Sequence, residues 1–221
     1  MYSIEDGSCM QKWQQTLEQQ RVGRREELIQ AARGLFLEKD LSGVTMKDIS
    51  ERAGVSRVTL YKYYRSIDEL AFEVQIRILS EMYRFAEEAQ LHGQNALERL
   101  HDLLLTMCHF ASSHPEDIQF IGLFDHYYRD SYPSPELEAR YRDFLRSSEV
   151  FQSLIVEGQR DGSIRTDIPA NTLAALIGNT SLSMQQRMIC RGHILHQEQG
   201  IDPQEMLLLH IDLLVSYVQK R

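Results

Sequence analysis

The chain has 221 residues, 43% hydrophobic and 25% charged, with a net charge of −8. That composition can bury the cores of two modest domains and is too apolar for a disordered chain. No run of about 18 apolar residues offers a membrane span, and the first residues lack the basic-then-apolar order of a signal peptide, so a cytoplasmic protein without a membrane partner is expected. Cys9, Cys108 and Cys190 lie far apart in no C-x-x-C pattern. They argue against a disulfide framework and a zinc site, so no cofactor or metal is expected.

Residues 1–20 form a polar, Gln-rich extension in which Trp13 and Leu17, four apart, suit a short helix or a disordered arm. The first full helix is expected over about 24–39, with Leu28, Ala31, Ala32, Leu35 and Phe36 at helical spacing. Arg21, Arg24 and Arg25 are either an arm for a minor groove or a solvated helix start. Thr45 with Asp48 three residues later makes an N-cap, so a second helix begins near Met46 and ends at Ala53, where Gly54 supplies the positive φ of a C-terminal cap. Val55 is an apolar plug in the turn, and Ser56 caps a third helix over 57–63. On that helix Leu60 and Tyr64 face inward. Arg57, Val58, Thr59, Tyr61, Lys62 and Tyr63 are left for display, an unusual set for a solvated face and a suitable one for the DNA major groove.

From Arg25 to Leu70 the chain resembles the N-terminal domain of the TetR family of transcriptional regulators. The resemblance rests on AARGLF (31–36), VTMKDISERAGVS (44–56), TLYKYY (59–64) and DEL (68–70), in family order and spacing, while DGSIRTDIP (161–169) is a weaker echo of a loop in the C-terminal domain. It implies a one-component bacterial repressor with a helix-turn-helix head and a helical body that dimerises and holds a small effector. Two positions depart from the pattern: Asp40 stands where a Gly is usual, and Ile67 where a phosphate-reaching Lys is usual. A differently shaped turn after the first helix is expected. So is one fewer backbone contact per half-site.

The division expected is an extension at 1–20, a DNA-binding head at 21–66 and a body at 67–221. Residues 21–65 hold ten Lys and Arg against six Asp and Glu, about +4, which leaves about −12 on the remainder. A basic end on an acidic chain suits docking on phosphate and makes affinity salt-dependent. On the head, Arg57, Val58, Thr59 and Tyr61 are expected at base edges, and Thr45, Lys47, Lys62 and Tyr63 at phosphates.

The body is expected to be all-helical. A long helix over 67–91, opened by a Ser66/Glu69 capping box, carries Leu70, Val74, Leu79, Met82 and Phe85. Further helices follow over about 96–112, 115–129, 135–160, 169–190 and 203–219, several opened by proline in the first turn. Nine helices in two domains result, with no persistent strand pattern. The last helix is apolar nearly all round, so it needs cover on more than one face. A homodimer through the last two helices is expected, with Leu173, Ile177, Met184, Leu207 and Leu214 as its contacts and a palindromic double-stranded DNA operator as its target.

Met107, His109 and Phe110 on one helix and Phe120, Phe124, Asp125, His126, Tyr127 and Tyr128 on the next could be plain core or the wall of an effector cavity. His109, Phe110, Phe124, Tyr128 and Asn179 are the ligand contacts expected on the second reading, for an unknown small molecule. Neither His193/His196 nor Asp125/His126 has a third partner at catalytic spacing, so no enzyme is expected. The leading expectation is a repressor released by a small effector. The alternative is a TetR-like DNA-binding protein of chromosome organisation or division that uses none.

Overall fold

Helices account for nearly all of the chain in the computed structural model, which describes residues 5–146 and 150–220, with side chains from Trp13 onward. Among the described residues there are ten α-helices and one short 3-10 turn, with no strand beyond an isolated bridge between Ile164 and Gln219. The all-α class is as expected. Two compact units divide between Val74 and Gln75, inside the fourth helix.

In the first unit α1 runs Glu5–Lys39 and so begins well before the expected Arg24. Residues 5–20 contain no proline and are rich in good helix formers, so nothing stops the helix from propagating N-terminally. From Trp13 to Gly23 every residue is exposed. The core begins at Leu28, where Ile29, Ala32, Leu35 and Phe36 recur at helical spacing and are buried, as are Ile49 and Leu60 further along the chain.

Asp40 breaks α1. It adopts φ 60° and ψ 163°, a region that only glycine occupies without strain, and a 3-10 turn over Leu41–Gly43 follows. The turn is therefore reshaped as its departure from the family pattern predicts. Asp40→Gly should relieve that strain against a smaller entropic loss, a net gain of about 1 kcal/mol in the head's stability. Chemical denaturation of the two proteins checks this; an unchanged or lower midpoint would contradict it.

α2 spans Met46–Arg52 and α3 spans Arg57–Tyr61. Thr45 and Asp48 form a complete capping box, Ser56 caps α3 by accepting from the Thr59 amide, and Gly54 has φ 65°, where a Cβ would be strained. Arg52 reaches back to α1 and grips Glu38 with both guanidinium arms, at 3.0 and 2.6 Å, which holds the Glu38 carboxyl below its ordinary pKa. The Arg52–Glu38 pair ties α2 to α1, and the caps shape the turn from α2 to α3.

α4 spans Ile67–Glu87, four residues shorter than expected. Its capping differs in detail from the expected box: Ser66 accepts from the Glu69 amide, but the Glu69 carboxylate takes the Arg65 N–H rather than that of Ser66. In the second unit the remaining helices are α5 (Ala96–Ser113), α6 (Pro115–Tyr127), α7 (Pro135–Arg146), α8 (Val150–Asp161), α9 (Ala170–Gln199) and α10 (Pro203–Val218). The helix expected over 135–160 is thus described as α7 and α8, with residues 147–149 between them outside the described residues.

α9 corrects the sequence reading. It continues past the expected end at about residue 190 to Gln199 and includes His193. Gly192 is a packing position: a Cβ there would lie 2.8 Å from the Pro203 ring at the start of α10. α9 and α10 cross so closely that only glycine fits. One core cluster of the body joins α5, α8, α9 and α10 through Leu100, Leu104, Ile155, Ile164, Leu173, Ile177, Ile211, Leu214 and Val218.

Candidate nucleic-acid interface and effector cavity

Thr45, Lys47 and the α3 residues lie together on the first unit, carried by two capped helices. Val58 is 69% exposed and Tyr61 51%, large apolar surfaces on a helix whose own core contact is Leu60. Arg57 and Lys62 are exposed beside them, Thr59 and Tyr63 half-buried. Among the described residues, Arg57, Lys62 and the Arg65 guanidinium have no acidic partner, whereas Lys47 makes a weak surface pair with Glu51 at 3.7 Å. Unpaired cations beside exposed apolar groups are ready to exchange water for phosphate and base edges.

Thr45 and Thr59 are more occupied than the sequence implied. Thr45 donates both its hydroxyl and its amide to Asp48, which holds the Asp48 carboxyl down to about 2. Thr59 shares its hydroxyl with Ser56 at 2.9 Å. Both threonines therefore shape the turn in the free protein. Arg65, exposed just past α3, was not among the residues expected on this face.

A cavity of about 530 Å³ opens in the second unit. Gln75, Leu79, Met82 and Tyr83 of α4 line it together with Met107, Ile121, Asp125, Tyr132, Tyr141 and the α9 residues Asn179, Ser181 and Gln185. Of the expected ligand contacts only Asn179 is on this wall. His109 is exposed and lies over the Phe85 ring at 6.4 Å, and Phe110 is buried core. Phe124 and Tyr128 pack behind the wall, Phe124 at 5.5 Å from the Tyr141 ring. These four corrections share a cause: helical spacing marks an apolar face but does not say whether a neighbour or a void covers it.

Polar residues on the buried stripes were the signal passed over. Gln75 is only 1% exposed, in register with Ala71, Leu79 and Met82; Ser181 and Gln185 continue the stripe of Leu173 and Ile177. Gln75 donates to the Tyr141 hydroxyl at 3.1 Å, while its Oε1 and the Ser181 Oγ have no partner. Asp125 stands at the mouth: solvent reaches it, yet the protein packed around its carboxyl pushes the pKa up, partly offset by Gln186 at 3.5 Å. Burial likewise raises Tyr141 and Tyr132.

Residues 28–74 match the family described as bacterial regulatory proteins, tetR family. The head belongs to the TetR family. The chain is 25% identical to the HTH-type transcriptional repressor KstR2 of Mycolicibacterium smegmatis over 73% of its length and 78% of that protein's. It is 26% identical to KstR2 of Rhodococcus jostii over 72% and 76%. The structure of the transcriptional regulator FadR from Bacillus subtilis in complex with stearoyl-CoA superposes with a TM-score of 0.69 at 17% identity, covering 86% of this chain and 97% of that one. With a TetR head and such relatives, the protein is a DNA-binding transcriptional regulator.

The TetR-like body puts the expected dimer contacts elsewhere than on its surface. Leu173, Ile177, Leu207 and Leu214 are buried in the protomer's own core, and Met184 is half-buried against Met188, Leu195 and Leu207. A second stripe on α10, Leu209, Leu213 and Tyr217, lies exposed, with Leu213 at 66%, and Leu176 of α9 is exposed too. No helix among the described residues is long and apolar enough to cross a membrane, and none of them form a group of three His, Cys, Asp or Glu able to hold a metal.

Proposed function

We propose that this TetR-family regulator is a homodimeric repressor that binds a palindromic operator through α3 and leaves it when a small effector enters the cavity. The carrying observation is the α3 surface, where Arg57, Lys62 and Arg65 stand without acidic partners around exposed Val58 and Tyr61. Arg57, Val58 and Tyr61 meet base edges; Lys47, Lys62, Tyr63 and Arg65 meet phosphates; Thr45 and Thr59 act chiefly by holding the turn. The relatives named repressors favour repression, and FadR's stearoyl-CoA complex favours a body that accepts small molecules.

Dimerisation uses the exposed stripe Leu209, Leu213 and Tyr217 with Leu176, since a solvated apolar stripe of that size calls for a partner. Coupling runs along α4, which starts at Ile67 just after α3 and touches the cavity at Gln75, Leu79, Met82 and Tyr83. An effector that prefers the non-operator conformation about 100-fold shifts the equilibrium by about 2.7 kcal/mol.

Selection from a random duplex pool with the purified protein should enrich an inverted repeat. On that site Lys62→Ala should weaken binding to all sequences and flatten the salt slope by about two units per dimer, one contact per half-site. Val58→Ser should instead relax preference at one base pair by about 1–3 kcal/mol. An unstructured pool, or a Lys62→Ala protein with the parental salt slope, would refute the docking.

A further inference from the structure

Resting on the reading of this cavity as the effector site, we propose that its ligand is a hydrophobic organic cation with an N–H donor, held by Asp125 and Gln75 among tyrosine rings. An anionic acyl thioester of the kind bound to FadR does not fit the charge of this wall.

Charge makes the first argument. Among the described lining residues Asp125 is the one charged side chain, and no Lys, Arg or His joins it. The one cation in the sequence between Leu145 and Phe151, Arg146, is exposed and is not one of the lining residues. Arg142, whose charge reaches Tyr132, is bonded to Glu138. An anion entering here would shed its water without a counter-charge, whereas a cation meets a carboxylate. The acidic balance of the chain outside its head, about −12, also draws cations.

Hydrogen-bond sense makes the second. The Gln75 amide spends its Nε2 on Tyr141 and leaves Oε1 buried and unpartnered, an acceptor in want of a donor. Asp125 is also an acceptor, and the Ser181 Oγ can turn to either role. A protonated amine is a donor with no acceptor of its own, so it satisfies these groups. A thioester carbonyl satisfies neither Gln75 Oε1 nor Asp125. The ligand's shape is met by rings: Tyr132 and Tyr141 stand edge-to-face at 6.0 Å, with Tyr83 and Phe151 also on the wall, surfaces on which a cation is held by the ring quadrupole. Among the described residues Asp125 has the Gln186 amide at 3.5 Å as its partner and no cation, and the protein packed around it raises its pKa.

The full-length protein should be titrated into rhodamine 6G, a hydrophobic cation with two N–H groups, and into fluorescein as the anionic counterpart, by fluorescence anisotropy, with stearoyl-CoA as competitor. Saturable binding of rhodamine 6G at about one per protomer is expected, with fluorescein at least tenfold weaker and stearoyl-CoA a poor competitor. Asp125→Asn, isosteric and at the solvent-facing mouth, should keep the parental melting temperature and weaken rhodamine 6G at least tenfold. His109→Ala, away from the cavity, should change nothing. Absent saturable rhodamine binding, equal or tighter binding of either anion, or indifference to Asp125→Asn each overturn the cation class. Gel shifts on the selected operator separate the two readings. Release by an acyl thioester would leave an effector-released repressor standing without its cation, and Asp125-dependent rhodamine binding that leaves the operator occupied would do the reverse.

Discussion

Leu213→Glu should turn the protein into a folded monomer that no longer holds a palindromic operator, while Ile177→Glu should unfold the body. The two leucine-like positions differ in what covers them. Leu213 is 66% exposed in the protomer, so a carboxylate there is solvated until two subunits meet. In a two-fold interface the substitution appears on both sides, and each charge loses water without gaining a partner, at a cost of several kcal/mol. Ile177 has no exposure at all, and a carboxylate among Leu173, Leu214 and Ile211 has neither water nor donor. Analytical ultracentrifugation, circular dichroism and gel shifts on the same samples decide it. A Leu213→Glu protein that remains dimeric and operator-competent would remove α10's exposed stripe as the interface.

Phe124→Ala should cost about 3–5 kcal/mol of body stability, the range for emptying a buried aromatic site. Phe124 is 1% exposed and holds the Tyr128 ring at 4.7 Å and the Tyr141 ring at 5.5 Å. Its loss leaves a void behind the cavity wall, so Tyr141 and the Gln75 amide bonded to it lose their backing. At about 2–4 °C per kcal/mol for a chain of this size, the body's melting temperature should fall by roughly 10 °C. Scanning calorimetry checks this. A fall of about 2 °C or less would mean that the site collapses onto the void.

Local chemistry makes the head legible in its sequence. Thr45, Asp48, Gly54 and Ser56 act on their immediate neighbours, through caps and a positive φ that depend on a few consecutive residues, and each does what its position implies. Asp40 likewise marked an altered turn. The same reasoning failed where an effect was carried from far along the chain. The helix expected to end near residue 190 runs on through Gly192, a crossing point with Pro203; residues 5–20 looked separate and extend α1 because nothing in them stops it.

Helix identity, the capped turn between α2 and α3, and the split between a basic head and an acidic remainder were therefore written in the sequence by itself, since propensity, capping and charge are properties of residues and their near neighbours. Tertiary structure alone decided which apolar faces are core and which stay open. Periodicity made Leu214 and Leu213 equally fit for an interface, and only the packing of α9 against α10 buries one and exposes the other. It likewise took the arrangement of α4, α6, α7 and α9 to turn Gln75, Asp125 and Ser181 into the wall of one cavity while hiding Phe124 behind it. A void exists only where several helices fail to meet, and no single helix records that.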